Sequence, residues 1–258
     1  DITEAHIRAA RRAYFANISY LDEKIGELLG VLDATGREAV VLFVSDHGDM
    51  LGERGLWFKM CFYEGSARVP MMLSAPGLSP GVVQTPVSTI DVCPTLCALA
   101  GVSMEEVAPG TAGENLLPVA GGGPRGPVAM EYAAEASYAP LVGLRKGRYK
   151  TTSCVLAPEQ LFDLDADPEE RVNLASDPAH AAALQDLRAE AEARWDLAAF
   201  DADVRKSQAR RWVVYDALRS GAYYPWDYQP LQKASERFMR NHMDLNEVEA
   251  RQRVPQGD

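Results

Sequence analysis

The sequence predicts an α/β protein, in which part of a mostly parallel sheet sandwich is followed by a small antiparallel sheet with a packed helix and an extended tail. Three patterns lead to this fold class. A long amphipathic helix is followed by a continuous apolar run, which is the helix-to-strand step of a parallel sheet. Two short strands around Lys146 and Gly147 have the spacing of a β-hairpin. An Ala- and Glu-rich helical stretch begins near Pro178.

Composition favours a globular protein and excludes some function classes. The chain has 258 residues, a net charge of −11, and 47% apolar and 24% charged residues, so it can bury a sizeable core. The acidic balance argues against nucleic-acid binding, which needs basic patches. It is compatible with a cationic ligand, or simply with solubility. No apolar run approaches the roughly 20 residues of a membrane helix, and we expect no spanning segment.

The first helix is predicted to begin after Thr3, a residue suited to the N-cap, and to end at Gly36. Apolar residues recur at spacings of three and four from Ile7 to Leu32 and form one stripe. Residues 39–45 are a continuous β-branched run, typical of a strand buried on both faces. Because the chain opens directly on this helix and not on Met, we expect a truncated, cleaved or partial protein.

The next segments alternate between loops and buried elements. Residues 46–68 form a loop rich in Gly and charge, and residues 69–75 are a second buried strand closed by a Pro-Gly turn. Asp91 is expected to cap a short helix over residues 92–100, which a glycine ends. Residues 103–127 are rich in Gly and Pro and are a predicted linker or surface loop.

The second half of the chain has a different character, with short strands and then helices. The predicted elements are a hairpin over 141–145 and 148–152, a strand over 160–163, a helix from about 178 to 200 and a second helical stretch to about 219. The last segment is aromatic and irregular. The predicted domains are residues 1–127 (α/β core), 128–200 (small antiparallel subdomain) and 201–258 (helical extension and tail).

The cysteines indicate a reducing compartment. Their spacing fits neither a zinc ribbon nor a redox pair. The four cysteines are Cys61, Cys93, Cys97 and Cys154. Cys93 and Cys97 would share a helix face and act as small buried hydrophobic residues. We therefore expect no disulfides and a cytoplasmic protein.

Residues 45–59 (SDHGDMLGERGLWFK) carry the chemistry. Asp46 and His47 stand at the carboxyl end of the first predicted strand, where ligands bind in open α/β sheets. A carboxylate oxygen and an imidazole nitrogen can both bind a divalent metal. Lys59, at the end of the same loop, can bind an oxyanion as a point charge. The alternatives are that Asp46 and His47 cap a turn and that Lys59 is a solvated surface residue.

This segment resembles the C-terminal signature of the sulfatases in the alkaline phosphatase superfamily. Three further segments resemble other parts of that family, so that the resemblance covers most of residues 1–200. They are 63–70 (YEGSARVP), 88–96 (STIDVCPTL) and 161–174 (LFDLDADPEERVNL). A narrower resemblance, to choline-sulfatases, is carried by residues 130–137 (MEYAAEAS) and 237–246 (RFMRNHMDLN).

The resemblance implies a metal-dependent hydrolase. It makes Asp46 and His47 metal ligands and Lys59 a sulfate-binding residue, with His47 and Lys59 as the catalytic residues of this chain. The expected metal is calcium, with manganese as the alternative. In this family the nucleophile is a formylglycine made from cysteine in a Cys-x-Pro-Ser-Arg motif. No such motif occurs here, so we expect it in a missing N-terminal half and expect the isolated chain to be inactive.

The resemblance to choline-sulfatases also implies a substrate, choline-O-sulfate. A quaternary ammonium group is recognised by aromatic faces and a nearby carboxylate, because it donates no N–H hydrogen bond. Glu131 or Glu135 is the candidate carboxylate, with Glu135 preferred, and a solvated surface Glu is the alternative for each. The tail resembles one that reaches a neighbouring subunit, which implies a homo-oligomer and brings Asn241 and His242 toward a partner's substrate.

Two other functions stay open at this point. Phosphonate and phosphate monoester hydrolases of the same superfamily also use a Ser-Asp-His-Gly stretch. The chain could also be an inactive structural fragment that holds an incomplete site.

Overall fold

A computed structural model describes residues 2–134 and 137–219. The chain divides into two compact units, residues 1–202 and 203–258. Three of the predicted binding residues, Glu135, Asn241 and His242, lie outside the described residues. The three predicted domain boundaries stay predictions.

The helices and strands alternate irregularly along the chain. The helices are α1 (Glu4–Ala34), α2 (Glu64–Ala67), α3 (Val92–Ala100), α4 (Met104–Val107), α5 (Leu117–Ala120), α6 (Ala181–Arg194) and α7 (Leu197–Arg219). The strands are β1 (Val41–Val44), β2 (Met50–Leu51), β3 (Trp57–Phe58), β4 (Met71–Ser74), β5 (Val128–Tyr132), β6 (Leu141–Lys146), β7 (Tyr149–Cys154) and β8 (Ala157–Asp163). None of the helices within residues 2–134 and 137–219 has the length and apolarity to cross a bilayer.

Helix α1 confirms the prediction from its capping residues. The hydroxyl of Thr3 accepts the His6 amide at the N-terminus, and the helix ends at Ala34, before Gly36 with a φ of 63°. None of its 31 residues is buried. Leu28 and Val31, on the predicted apolar stripe or beside it, expose 69% and 66% of their surface. The helix therefore presents apolar side chains that the described residues do not cover.

Strands β1 and β4 confirm that the two predicted apolar segments are strands, and the α/β class is confirmed with them. Their predicted burial is not reached among the described residues, because β1 is only half-buried and Met72 of β4 is 60% exposed. Their pairing differs from the parallel arrangement predicted for this part, because they run antiparallel with Val41 opposite Ser74 and Val44 opposite Met71. Parallel neighbours need a crossover connection, usually a long helix. The connection between these strands holds only the short helix α2 and the β2–β3 hairpin, which return the chain antiparallel.

The small antiparallel sheet is the best-packed part of the first unit. Strands β5 to β8 pair in chain order, and Gly147, with a φ of 56°, makes the tight turn of the predicted β6–β7 hairpin. Leu144 and Leu161 of the sheet are fully buried against Leu184 and Leu187 of α6. We call this side of the sheet the α6 face. Strand β5 was not predicted.

The opposite side of the sheet, the loop face, supports the segment that carries Lys59. Side chains alternate along a strand, so the neighbours of the α6-face residues point to this other side. A Cβ on Gly143 would lie 3.0 Å from Cε of Met130 and 3.1 Å from Cδ2 of Phe62. Lys150 also points to this face and donates to the Phe62 carbonyl at 2.6 Å. The sheet thus separates a side packed against α6 from a side that holds the segment after Lys59.

Two sequence predictions need correction. The helix predicted to run to about residue 200 ends at Arg194, because Trp195 adopts an extended conformation and packs against the core; the Asp196 carboxylate then caps α7 by accepting the Ala199 amide at 2.9 Å. Cys93 was expected to be buried but is exposed, because the first turn of α3 buries its neighbour Pro94 instead.

Asp91 also differs from its predicted role. Its side chain does not cap α3. It is fully buried, accepts the amides of Ser88 and Glu114, and forms a two-bonded ion pair with Arg125. The carboxylate therefore ties the turn before α3 to the segment that leads into β5.

Candidate active site

A cleft of about 550 Å³ lies at the carboxyl end of β1. Asp46, His47 and Lys59, three residues predicted from the sequence, all line it. The other walls come from the region of α2, from the turn before α3 and from β5. Lining residues there include Ser66, Arg68, Ser88, Thr89, Met130 and Tyr132. The sequence predicted the wall formed by Asp46, His47 and Lys59. It did not predict the polar residues of the other walls, because no local sequence pattern shows that these distant segments line the same cleft.

The imidazole of His47 has a defined hydrogen-bonding arrangement. Its Nδ1 lies 2.8 Å from the carbonyl oxygen of Gly48. A carbonyl can only accept, so Nδ1 carries the proton and donates. In the neutral ring Nε2 then keeps its lone pair, and it lies 3.1 Å from Nζ of Lys59. The ring is thus oriented with its Nε2 lone pair toward the cleft, within hydrogen-bonding distance of the Lys59 ammonium.

Asp46 presents a carboxylate beside this nitrogen. The His47 backbone amide donates to Oδ1 at 2.9 Å, and Oδ2 lies 3.5 Å from Nε2 of His47. The amide hydrogen bond is the largest cause that lowers the pKa of Asp46, and the positive charge of Lys59 makes a smaller contribution. The side chain is 83% exposed, so a charged and accessible oxygen stands next to the imidazole nitrogen.

Lys59 sits in a loop with unusual backbone geometry. Phe58 and Met60, on either side of it, have φ values of 64° and 78°. Bulky side chains rarely adopt this left-handed region, and such conformations persist only when the surroundings hold them. The local sequence therefore does not favour the main-chain conformation that places the Lys59 ammonium, and contacts with the rest of the protein have to hold it.

Gly48 allows α2 to approach the strand end closely. Its amide donates to the carbonyl of Ser66 at 2.8 Å. A Cβ at this position would lie 2.2 Å from the carbonyl oxygen of Gly65. Only glycine fits without a shift of the main chain, which explains the residue that follows Asp46 and His47.

Asp46 and His47 fit a divalent cation only in part. They offer one carboxylate and one nitrogen lone pair within reach of each other. Residues 2–134 and 137–219 hold no group of three or more His, Cys, Asp or Glu side chains that could bind a metal. Metal sites of this kind take at least four ligands, so further donors would have to come from elsewhere.

Glu131 lies on the cleft wall but is engaged elsewhere. It follows Met130 in β5, and because Met130 points to the loop face, Glu131 points to the α6 face. There its Oε1 accepts a hydrogen bond from Nε1 of Trp195 at 2.6 Å. The structure brings Asp46, His47 and Lys59 together and places the Glu131 carboxylate on the other side of the sheet. Its neighbour Tyr132 shares the side of Met130 and lines the cleft.

Two family models and several known proteins match this chain. The family model "Sulfatase" matches residues 2–102, and the model "Choline sulfatase enzyme C terminal" matches residues 202–254. The choline-sulfatase of Rhizobium meliloti is 61% identical over 267 residues, which covers 100% of this chain and 52% of that protein. The chain thus spans about half the length of this relative and corresponds to its C-terminal half.

Solved structures give the same grouping. The phosphonate monoester hydrolase of Silicibacter pomeroyi superimposes with a TM-score of 0.65 at 28% identity, covering 75% of this chain and 42% of that one. A 2-O GAG sulfatase superimposes with a TM-score of 0.53 at 31% identity, covering 60% and 35%. Together with the family models and the match over the whole chain, these likenesses show that the chain belongs to the sulfatase family.

Proposed function

We propose that this chain is the C-terminal part of a sulfuric ester hydrolase that cleaves choline-O-sulfate to choline and sulfate. One observation carries the proposal: the cleft gathers a carboxylate, an imidazole lone pair and an ammonium, at Asp46, His47 and Lys59. Such a set suits a tetrahedral oxyanion that is bound by positive charge. The choice of choline-O-sulfate is supported by the 61% identity to a choline-sulfatase.

The proposal gives a role to each of Asp46, His47 and Lys59. Lys59 binds a sulfate oxygen and stabilises the charge that builds up on the transferring group. Asp46 and Nε2 of His47 would hold a divalent cation, expected to be calcium with manganese as the alternative; the Asp46 carboxylate suits both of these cations. When bound, that cation supplies Lewis-acid polarisation of the sulfate oxygens. The Gly48 carbonyl keeps the imidazole turned so that Nε2 faces the cleft.

The nucleophile, a formylglycine, and the missing metal ligands belong in this proposal to an N-terminal half. Two features of the described residues support a partner segment. The apolar stripe of α1 is uncovered, with Leu28 69% exposed. Strands β1 and β4 form only a two-stranded pair, although Val41–Val44 has the apolar sequence of a strand inside a larger sheet. The isolated chain is therefore expected to be inactive.

The residues proposed to bind the choline end of the substrate are chosen by their chemistry. A quaternary ammonium ion needs aromatic faces and a carboxylate. Tyr132 lines the cleft, whereas Glu131 is bound to Trp195. Because Glu131 is already bound, the carboxylate of this proposal is Glu135, which is close to Tyr132 in the sequence. In the proposal Asn241 and His242 complete the site from the tail of a second copy, in a cytoplasmic homo-oligomer.

The test is to join this chain to the N-terminal half of the Rhizobium meliloti choline-sulfatase and to measure sulfate release from choline-O-sulfate. We expect turnover by the joined protein, a loss of that turnover in its Lys59→Met variant, and none from the isolated chain. Sulfate release by the isolated chain would contradict the divided site, and an inert, folded joined protein would contradict the substrate assignment.

A second candidate function is hydrolysis of phosphonate monoesters. It is favoured by the TM-score of 0.65 with a phosphonate monoester hydrolase. The same joined protein decides between the two, through kcat/KM for choline-O-sulfate and for a phenyl phosphonate ester. A higher kcat/KM for the phosphonate ester would replace the first proposal by the second.

A further inference from the structure

Lys150 is a charged residue inside the first unit, beneath the segment that carries Lys59. Its side chain is only 2% exposed. Nζ donates to the carbonyl of Phe62 at 2.6 Å and to Oε1 of Glu64 at 2.8 Å, and it also pairs with Oε1 of Glu170. The first two contacts are hydrogen bonds, and the third is an ion pair, since Oε1 of Glu170 accepts no hydrogen bond among the described residues. With three oxygen atoms around its ammonium and almost no exposed surface, the lysine is not placed to bind a ligand.

The carboxylate of Glu170 also binds the main chain of Glu64. Oε2 of Glu170 accepts the backbone amide of Glu64 at 2.7 Å. Glu170 is itself 2% exposed and has a φ of 57°, a conformation rare for glutamate. Arg145, on the same face of the sheet, is close enough that the charges of Glu64 and Glu170 oppose the lowering of its pKa by burial. Lys150 and Glu170, each 2% exposed, thus form the buried centre of a larger group of opposite charges.

This group of residues fixes the main chain just after Lys59. Lys150 holds the Phe62 carbonyl and Glu170 holds the Glu64 amide, so both anchors are backbone atoms. The other end of the same segment is tied to the same turn, because Nη2 of Arg54 donates to the carbonyl of Glu169 at 3.2 Å. Lys59 and its strained neighbours lie between these two attachment points.

We infer that Lys150, with Glu64 and Glu170, is a positioning residue for Lys59, and that it sets the distance of the Lys59 ammonium from the transferring sulfate without touching the substrate. The inference rests on the proposed function, in which Lys59 binds sulfate. Its physical basis is that a displacement of about 1 Å at a catalytic group can lower a rate by about a hundredfold. A buried charge cluster can enforce that precision because separating its members leaves unpaired charges out of water.

The experiment uses the complete enzyme, in which this chain is joined to its N-terminal half. The variant is Lys150→Met, which keeps the length of the side chain and removes the ammonium. The matched control is Lys146→Met in the same hairpin, whose ammonium forms an exposed 2.6 Å pair with Asp186. We expect Lys150→Met to lower kcat/KM for choline-O-sulfate by about 10- to 100-fold, and Lys146→Met to leave it unchanged.

A second background separates positioning from general support of the fold. If Lys150 acts through Lys59, the two effects are not additive. In a Lys59→Met enzyme, adding Lys150→Met should therefore lower the residual kcat/KM by no more than about twofold. The same large loss in both backgrounds would overturn the inference, because it would show an effect that does not pass through Lys59.

Glu64→Gln provides the comparison if Lys150→Met does not fold. It keeps the shape of a side chain that is 25% exposed and removes one charge from the group. We expect Glu64→Gln to lower kcat/KM in the enzyme that has Lys59 and to leave it unchanged in the Lys59→Met enzyme. An unchanged kcat/KM in the enzyme that has Lys59 overturns the inference. An inert parent enzyme overturns the proposed function, and the inference with it. An active parent in which the variants of Lys150 and Lys146 behave alike overturns the inference only.

Discussion

The ion pair between Arg125 and Asp91 allows a quantitative test of how the wall of the cleft is held. The two side chains are 4% and 0% exposed. Arg125 donates to the carboxylate from Nε at 2.9 Å and from Nη2 at 2.7 Å. An Arg125→Met variant leaves the Asp91 carboxylate buried without its counter-charge, which costs about 3 to 5 kcal/mol of unfolding free energy. The amides of Ser88 and Glu114 still donate to it, so we expect the lower end, about 3 kcal/mol.

The assay is urea unfolding followed by circular dichroism, with the free energy of unfolding extrapolated to water. The matched control is Arg194→Met, which removes an exposed pair with Glu190 at 3.0 Å within one helix. Such a pair contributes about 0.3 to 0.5 kcal/mol. If Arg125→Met and Arg194→Met cost the same, the idea that Asp91 is a buried charge held mainly by Arg125 is refuted.

Three further predictions concern the charge of Lys59, one pH dependence and one close contact. Lys59→Met should lower kcat for choline-O-sulfate by about 10²- to 10³-fold, the usual cost of one donor to a developing anion, whereas a loss confined to KM would contradict a role in the reaction. A hydrogen bond from Arg148 is the largest cause that holds the pKa of Asp163 below its usual value. The difference in unfolding free energy between the wild type and Asp163→Asn should thus be constant above about pH 4 and should decrease as the pH falls toward the lowered pKa of Asp163. Urea titrations in which this difference stays constant down to pH 2 would contradict the prediction. Gly48→Ala should lower both the melting temperature and kcat/KM, because its Cβ would overlap a carbonyl oxygen, whereas Gly81→Ala, with open space around it, should change neither.

Local signals in the sequence predicted the elements that depend on local physics. The N-terminus of α1 follows from Thr3, and the β6–β7 turn follows from Gly147, because caps and tight turns are chosen by the residues that make them. The same holds for Asp46, His47 and Lys59, which one loop carries from a strand end into one cleft.

Other features could not be predicted, because contacts between distant segments decide them. Lys150 lies in a mostly polar strand, and a lysine there would be expected to face water, yet its side chain is buried beside Glu64 and Glu170. Glu131 was a candidate carboxylate for binding choline, and only the register of β5 shows that its side chain points toward Trp195. The antiparallel pairing of β1 with β4 is likewise set by the connection between them and not by their apolar sequences.

The anchoring of the Lys59 segment also constrains how the protein folds. The bonds that hold it join residues that are 86, 106 and 115 positions apart in the chain, from Lys150 to Glu64, from Glu64 to Glu170 and from Arg54 to Glu169. Contacts of such high sequence separation form only after the entropy of closing a long loop has been overcome. During synthesis, Lys59 therefore emerges long before the residues that hold it in place. We expect the placement of Lys59 that we propose for sulfate binding to be among the last features to form, and to be lost from any product that ends before the turn at Glu170.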